Sequence, residues 1–143
     1  MHDIQQIQKN RKCLNCNLSA MNFSGTNLEG VDLRSTELQE ANLKNVNLRN
    51  ANLQWADLRN ANLQGADLKG AILKNALLDN ADLTGANLET SNLEEADLRN
   101  VNFSRTNLLK VLRTYKIQDS RSVILCETTL PNGIISNRDC KAS

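Results

Sequence analysis

Between Cys16 and Lys110 a Leu or Phe recurs at every fifth position, from Leu18 to Leu108, nineteen times without insertion or deletion. Phe takes the place only at Phe23 and Phe103. Two residues before each of these centres stands a small or modest residue. It is Ala in ten units (Ala41, Ala51, every fifth position from Ala56 to Ala86, and Ala96) and Val, Thr, Ser, Cys16 or Met21 in the rest. One residue before the centre is Asn or Asp in sixteen units, the exceptions being Glu37, Ile72 and Leu77. The pattern thus reads apolar, polar, apolar, then two variable positions.

A period of five selects among structures. On an α-helix, at about 100° per residue, successive centres would rotate by about 140° and scatter around the wheel. On a straight strand of period two, consecutive centres would point to opposite faces, and half of the Leu side chains would be exposed. Every centre stays inward only if a three-residue extended piece, in-out-in, is followed by a turn at the last two positions, so that the chain coils around its own axis. Asn, Asp, Gly and Ser suit such a corner because they tolerate turn dihedrals and bond nearby backbone. Gly25, Gly30, Gly65, Gly70 and Gly85, with several Asn, occupy its last position.

Those nineteen matches to Ala-(Asp/Asn)-Leu-x-x resemble the pentapeptide repeat family. The resemblance implies an all-β chain folded as a right-handed quadrilateral β-helix, four pentads to a coil and one pentad to a side. About five coils would then make a shaft about 23 Å long at a strand spacing of roughly 4.8 Å. Stability in such a solenoid sums over neighbouring coils, and its ends need caps. The expected organisation is an N-terminal cap over 1–15, the β-helix over 16–110 and a C-terminal cap over 111–143.

Composition changes little in this picture. The 143 residues suit one domain, and a net charge of +1 points to neither nucleic acid nor membrane. Aromatic residues are 3% of the chain, as a narrow Ala and Leu core would require. No apolar run approaches the roughly 18 residues of a membrane span, and no basic and apolar leader opens the chain. As written the chain reads as soluble and untargeted, or as a processed form.

At the ends the repeat stops. Ile4 and Ile7 lie three apart among Gln and Lys, which predicts a short amphipathic helix covering the first coil and shielding its unpaired edge from other molecules. Toward the C-terminus, Val111, Leu112 and Tyr115 suggest a short helix or turn. The stretch 122–126 is apolar and β-branched, and the stretch 130–135, Leu-Pro-Asn-Gly-Ile-Ile, predicts a turn between two short extended pieces.

The four cysteines form two local pairs. Cys13-x-x-Cys16 fits a redox or metal motif, a structural disulfide, or two small buried thiols. Burial of Cys16 at an inward place would raise its thiol pKa and quiet it. Zinc would want a second close pair, whereas Cys126 and Cys140 are fourteen apart and His2 is the one histidine. An even count in two pairs fits disulfides and an oxidising compartment, and a Cys126–Cys140 bridge would staple the C-terminal cap. The tail from Cys126 to Gly133 with Asn137 to Cys140, like the Cys-x-x-Cys opening, is similar to cyanobacterial and chloroplast-lumen members of the family. That implies the thylakoid lumen or periplasm for a processed chain, and the cytoplasm otherwise.

Function has to be sought on the outward positions. With fourfold stacking one column reads Glu29, Arg49, Lys69, Glu89 and another Arg59, Asp79, Arg99, so opposite charges meet one strand spacing apart. Residues 16–110 carry nine basic and twelve acidic side chains, a net of −3. Ile72 and Leu77 stand where other units have Asn or Asp, and Trp55 takes a corner one coil earlier, a candidate partner patch of three. The chain offers no Ser/His/Asp set, no phosphate loop and no metal cluster, and Glu94 and Glu95 lie on a convex wall without a cleft. No catalytic residue, cofactor or metal is therefore expected. The expected function is a non-catalytic, rigid protein-interaction scaffold, as a monomer or an end-to-end dimer. The alternative drawn from the resemblance is a DNA mimic acting on DNA gyrase or topoisomerase, which interleaved Arg and Lys disfavour.

Overall fold

The computed structural model describes residues 4–113 and 116–141. Its core is a β-helix solenoid built by short parallel bridges between residues twenty apart. The first wall stacks Lys12, Asp32, Asn52, Ile72, Asn92 and Leu112. The second stacks Asn17, Glu37, Asp57, Leu77 and Asp97. The third runs from Asn22 through Asn42, Asn62 and Asp82 to Asn102, and the fourth from Asn27 through Asn47, Asp67 and Asn87 to Asn107. Twenty residues per turn is four pentads, one per wall.

Each pentad is extended for three residues and turns over the next two. In the unit 61–65, Ala61 and Leu63 are buried while Asn62 is half-buried and faces out. Asn62 N–H donates to the Ala41 carbonyl below at 3.0 Å, and Leu63 N–H to the Asp82 carbonyl above at 2.8 Å. The corner closes when Ala66 N–H donates to the Leu63 carbonyl at 3.0 Å. Its last residue has positive φ, at Gly65 and at the equivalent place in every unit, Asn, Ser, Trp55 and Thr90 among them. At Gly65, with φ of +68°, the Asn45 carboxamide oxygen lies where a Cβ would stand and would have to swing aside for a larger residue.

The inward Ala and Leu fill the tube completely: Leu43, Leu53, Leu63 and Leu88 are all 0% exposed. Where Thr replaces Ala, its hydroxyl finds a backbone carbonyl: that of Phe23 in the same coil for Thr26, and one of the adjoining coil for Thr36 and Thr106. Thr36 Oγ1 donates to Cys13 O at 2.6 Å and Thr106 Oγ1 to Leu83 O at 2.7 Å. The buried Ser91 hydroxyl has no hydrogen-bond partner.

The coil outlasts the 16–110 window at both ends. Residues 11–15 already form a side, with Lys12 bridged to Asp32 and Cys13 buried in the place of a centre. Below them helix α1 (Ile4–Asn10) covers the end of the core with Ile7 buried. At the other end Val111–Arg113 continue the first wall, Leu112 bridging Asn92, instead of starting a helix. Tyr115 lies outside the described residues, as does His2. Arg113 takes the centre place of that unit, and burial pushes its guanidinium down to about 10, which leaves it charged at neutral pH.

Beyond it a 3-10 turn (Ile117–Asp119) lays Ile117 over the core, and the chain then rejoins the solenoid with two extra residues. Ile124 bridges Asn102 and Thr129 bridges Asn107, twenty-two apart instead of twenty. Val123, Leu125, Thr128 and Leu130 point inward, and Glu127 adopts the corner φ. Strand β1 (Thr128–Thr129) then pairs antiparallel with β2 (Ile135–Ser136), which closes the fourth wall. Arg138 ties this tail down, donating to the carbonyls of Gln118, Ser120 and Val123 and to Asp139.

Candidate functional site: the edge between the first and second walls

The outward Asn and Asp have a task that the sequence pattern did not reveal. In sixteen units their side-chain oxygen accepts the N–H of the first corner residue, as Asn62 Oδ1 does from Gln64 at 3.0 Å. This local turn supplies an amide that the backbone leaves without a partner. Glu37, Ile72 and Leu77 break the rule, so the corner amides of Gln39, Lys74 and Asp79 have no such acceptor.

Two of those three exceptions flank one edge. Ile72 lies on the first wall and Leu77 on the second, in consecutive pentads. Trp55 stands on the edge between these walls one coil earlier, its N–H donating to the Lys74 carbonyl at 3.1 Å. Its φ of +65° is unfavourable for a bulky aromatic residue, and its side chain is 60% exposed. Leu14, which the sequence pattern hid because Cys13 fills a centre place, projects from the same edge lower down. Leu14, Asn15, Arg34, Ser35, Gln54 and Trp55 line an open notch of about 400 Å³. Of the eight exposed large apolar side chains among the described residues, five (Leu14, Trp55, Ile72, Leu77 and Leu112) belong to these two walls or their shared edge. The other three, Ile124, Ile134 and Ile135, belong to the C-terminal cap.

Charges on the walls are paired mainly within a pentad. Arg34 holds Asp32, Arg59 holds Asp57 and Arg99 holds Asp97, at 2.7, 2.6 and 2.7 Å. Of the ion pairs expected between stacked corners, Arg99–Asp79 forms at 2.8 Å, while Arg49 turns to Asp67 on the wall above. The neighbouring guanidinium lowers the pKa of Asp32 and Asp97; at Asp57 burial pushes up, and the bonds from Arg59 and Gln39 outweigh it.

The cysteines are paired, and one pair brackets the Leu14–Asn15 corner of this edge. Cys13–Cys16 and Cys126–Cys140 are disulfides, the first closing the lowest corner and the second joining the end of one cap unit to the tail. Among the described residues no three His, Cys, Asp or Glu side chains gather as a metal site, and no helix is long and apolar enough to cross a membrane.

A solenoid of stacked five-residue sides with convex walls and capped ends defines a repeat protein of the β-helix class. The profile described as "Pentapeptide repeats" matches residues 12–50, 36–75, 51–89 and 76–108 in eight copies, and the chain belongs to that family. Among solved structures it is similar to alr5209, a pentapeptide repeat protein from Nostoc PCC 7120, at 32% identity and a TM-score of 0.63 over 78% of this chain and 92% of that one. It is also similar to the pentapeptide repeat protein AT2G44920 from the Arabidopsis thaliana thylakoid lumen, at 34% identity and a TM-score of 0.55. That match covers 68% of this chain and 64% of the Arabidopsis protein, so the chain spans less than two thirds of that relative. Full-length QnrB1, a plasmid-mediated fluoroquinolone resistance protein, is similar at 17% identity and a TM-score of 0.48, too distant to carry an argument. No curated protein matches the chain.

Proposed function

We propose that this chain is a non-catalytic interaction module, a right-handed quadrilateral rod of about five coils that presents the edge between its first and second walls to a protein partner. One observation carries the reading: three departures from the repeat fall around one edge. Ile72 and Leu77 forgo an acceptor that sixteen other pentads keep, and Trp55 occupies a left-handed corner that suits Gly or Asn. Apolar departures gathered at an exposed site are the ordinary mark of a surface kept for binding.

Convex walls favour this over catalysis, since the notch at Trp55 is open to solvent and holds no cluster of catalytic side chains. No observation favours a DNA mimic: Arg34, Arg59 and Arg99 sit on Asp side chains and break up any acidic stripe. The two disulfides support work in an oxidising compartment of the thylakoid-lumen or periplasmic kind. Capture from an extract of the source organism tests the reading, with wild type compared against Trp55→Asn and Ile72→Asn/Leu77→Asp. The expected result is a protein retained by wild type and lost by both variants; an identical catch on all three overturns it.

A further inference from the structure

Several first-corner side chains tie one coil of the solenoid to the next. Gln39 Nε2 donates to Asp57 Oδ2 at 2.8 Å, Gln64 Nε2 to Asp82 Oδ2 at 2.6 Å and Arg49 to Asp67 Oδ2 at 3.1 Å, each reaching the wall residue eighteen positions on. Eighteen positions on from Gln54 stands Ile72, which accepts nothing. The half-buried Gln54 carboxamide therefore keeps its donors and its acceptor, and it lines the notch beside Trp55. The Asn15 carboxamide and the Ser35 hydroxyl line it too, and among the described residues none of the three makes a side-chain hydrogen bond.

Charge at the notch is balanced. Arg34, the one charged residue among the lining, is held by Asp32 at 2.7 Å. Lys74 and Glu37 belong to the same edge but do not line the notch. The lining thus combines an indole that is 60% exposed, the apolar Leu14 and uncommitted groups that both donate and accept. A purely aliphatic ligand would leave those polar groups desolvated and unpaired, and a charged one would find no free counter-charge. A proline-rich segment supplies carbonyl acceptors but few donors, because proline has no N–H.

A sugar ring matches the whole lining. The axial C–H groups of a pyranose form an apolar face with partial positive charge, which suits the negative π face of an indole. Its equatorial hydroxyls surround that face with groups that donate and accept. We infer that this notch binds a sugar, with a pyranose ring laid on Trp55 and its hydroxyls bonded by Gln54, Asn15 and Ser35. The volume of about 400 Å³ is within the range of small-ligand sites. Ile72 contributes by leaving Gln54 free. The inference goes beyond the protein-partner reading and does not rest on it, because neither Ile72 nor Leu77 lines the notch.

Trp55 is the one Trp of the chain, so its fluorescence reports the notch directly. Titration of the full chain with glucose, cellotetraose and chitotetraose is expected to shift that emission saturably, with a dissociation constant on the order of 1 mM for so open a site. A response to glucose marks a free sugar as sufficient, and a response to the tetrasaccharides alone marks a polymer. Gln54→Ala is expected to weaken binding about fivefold, the worth of one hydrogen bond. Ile72→Asp is expected to weaken it similarly without altering the lining, since its carboxylate takes the Gln54 amide as Asp57 takes that of Gln39. Trp55→Asn, read by calorimetry because the fluorophore is gone, is expected to abolish binding while keeping the fold, Asn being at home at positive φ. An emission indifferent to all three sugars up to about 50 mM overturns the sugar. So does a shift that Gln54→Ala and Ile72→Asp both leave unchanged, or one that a polyproline peptide produces and the saccharides do not. The protein-partner reading is judged separately, by whether the variants change what is captured from the extract.

Discussion

The first corner amide of each pentad has no backbone acceptor, and a single outward Asn or Asp supplies one while facing solvent. Restoring that acceptor where it is missing gives a direct test of what the exceptions cost. Ile72→Asn and Leu77→Asp are each expected to raise stability by up to about 1 kcal/mol, the usual net worth of an intramolecular hydrogen bond. Denaturant titration reads this as a higher midpoint; a lower one would mean that the apolar side chains hold the wall together. Ser91 presents the opposite case, a buried hydroxyl without a partner where ten units have Ala. Ser91→Ala is expected to be neutral or to stabilise by about 1 kcal/mol, and a clear loss on chemical denaturation would assign the hydroxyl an unseen partner.

At the scale of the pentad, stability comes from filling a narrow tube and from pinning its corners. Leu63 is fully buried between Leu43 and Leu83 in the stack, so Leu63→Ala is expected to lose about 2–5 kcal/mol through the cavity it leaves. Chemical denaturation checks it, and a neutral result would contradict the inward stacking. The corners also respond to acid. Asp32 and Asp97, bonded by their Arg, have lowered pKa values. So do Asp57 and Asp82, where hydrogen bonds overcome burial, and Asp139, held by Arg138. A carboxylate favoured by the fold contributes above its unfolded pKa of about 3.9 and is lost as pH falls through its lower folded value. Thermal midpoints are therefore expected to stay level from pH 7 to about 5 and to fall below about pH 4; a level profile through pH 3 would show that these bonds contribute nothing.

For the molecule as a whole the ends decide whether the rod is a closed object. A β-helix without caps exposes backbone edges and core Leu, and here α1 seals one end while two offset units, the hairpin and Arg138 seal the other. The Cys126–Cys140 bridge spans fourteen residues of that second seal. Mutating both cysteines to Ser is expected to lower stability by about 3 kcal/mol, read by denaturation of the oxidised parent against the variant, with the early loss confined to the C-terminal cap in hydrogen exchange. Equal protection in the two proteins would show that Arg138 alone suffices.

Much of this was legible from the repeat. A side chain period of five admits one kind of backbone path, so Leu18 to Leu108 already dictate which residues point inward and where the corners fall. The ends were less legible, because residues 11–15 and 123–130 keep the backbone path after losing the consensus letters: Cys13 stands for Leu, and two extra residues shift the register. The roles of Asn and Asp at the corners were invisible for a similar reason, since polarity alone does not say which amide an oxygen accepts. The candidate edge was half visible. Sequence marked Trp55, Ile72 and Leu77 as departures, but their placement about one edge with Leu14 depends on stacking at twenty-residue intervals. Local periodicity, then, determined the coil and its core, whereas which outward residues of different pentads became neighbours was decided by the tertiary stacking, because each coil lies on residues about twenty apart in the chain.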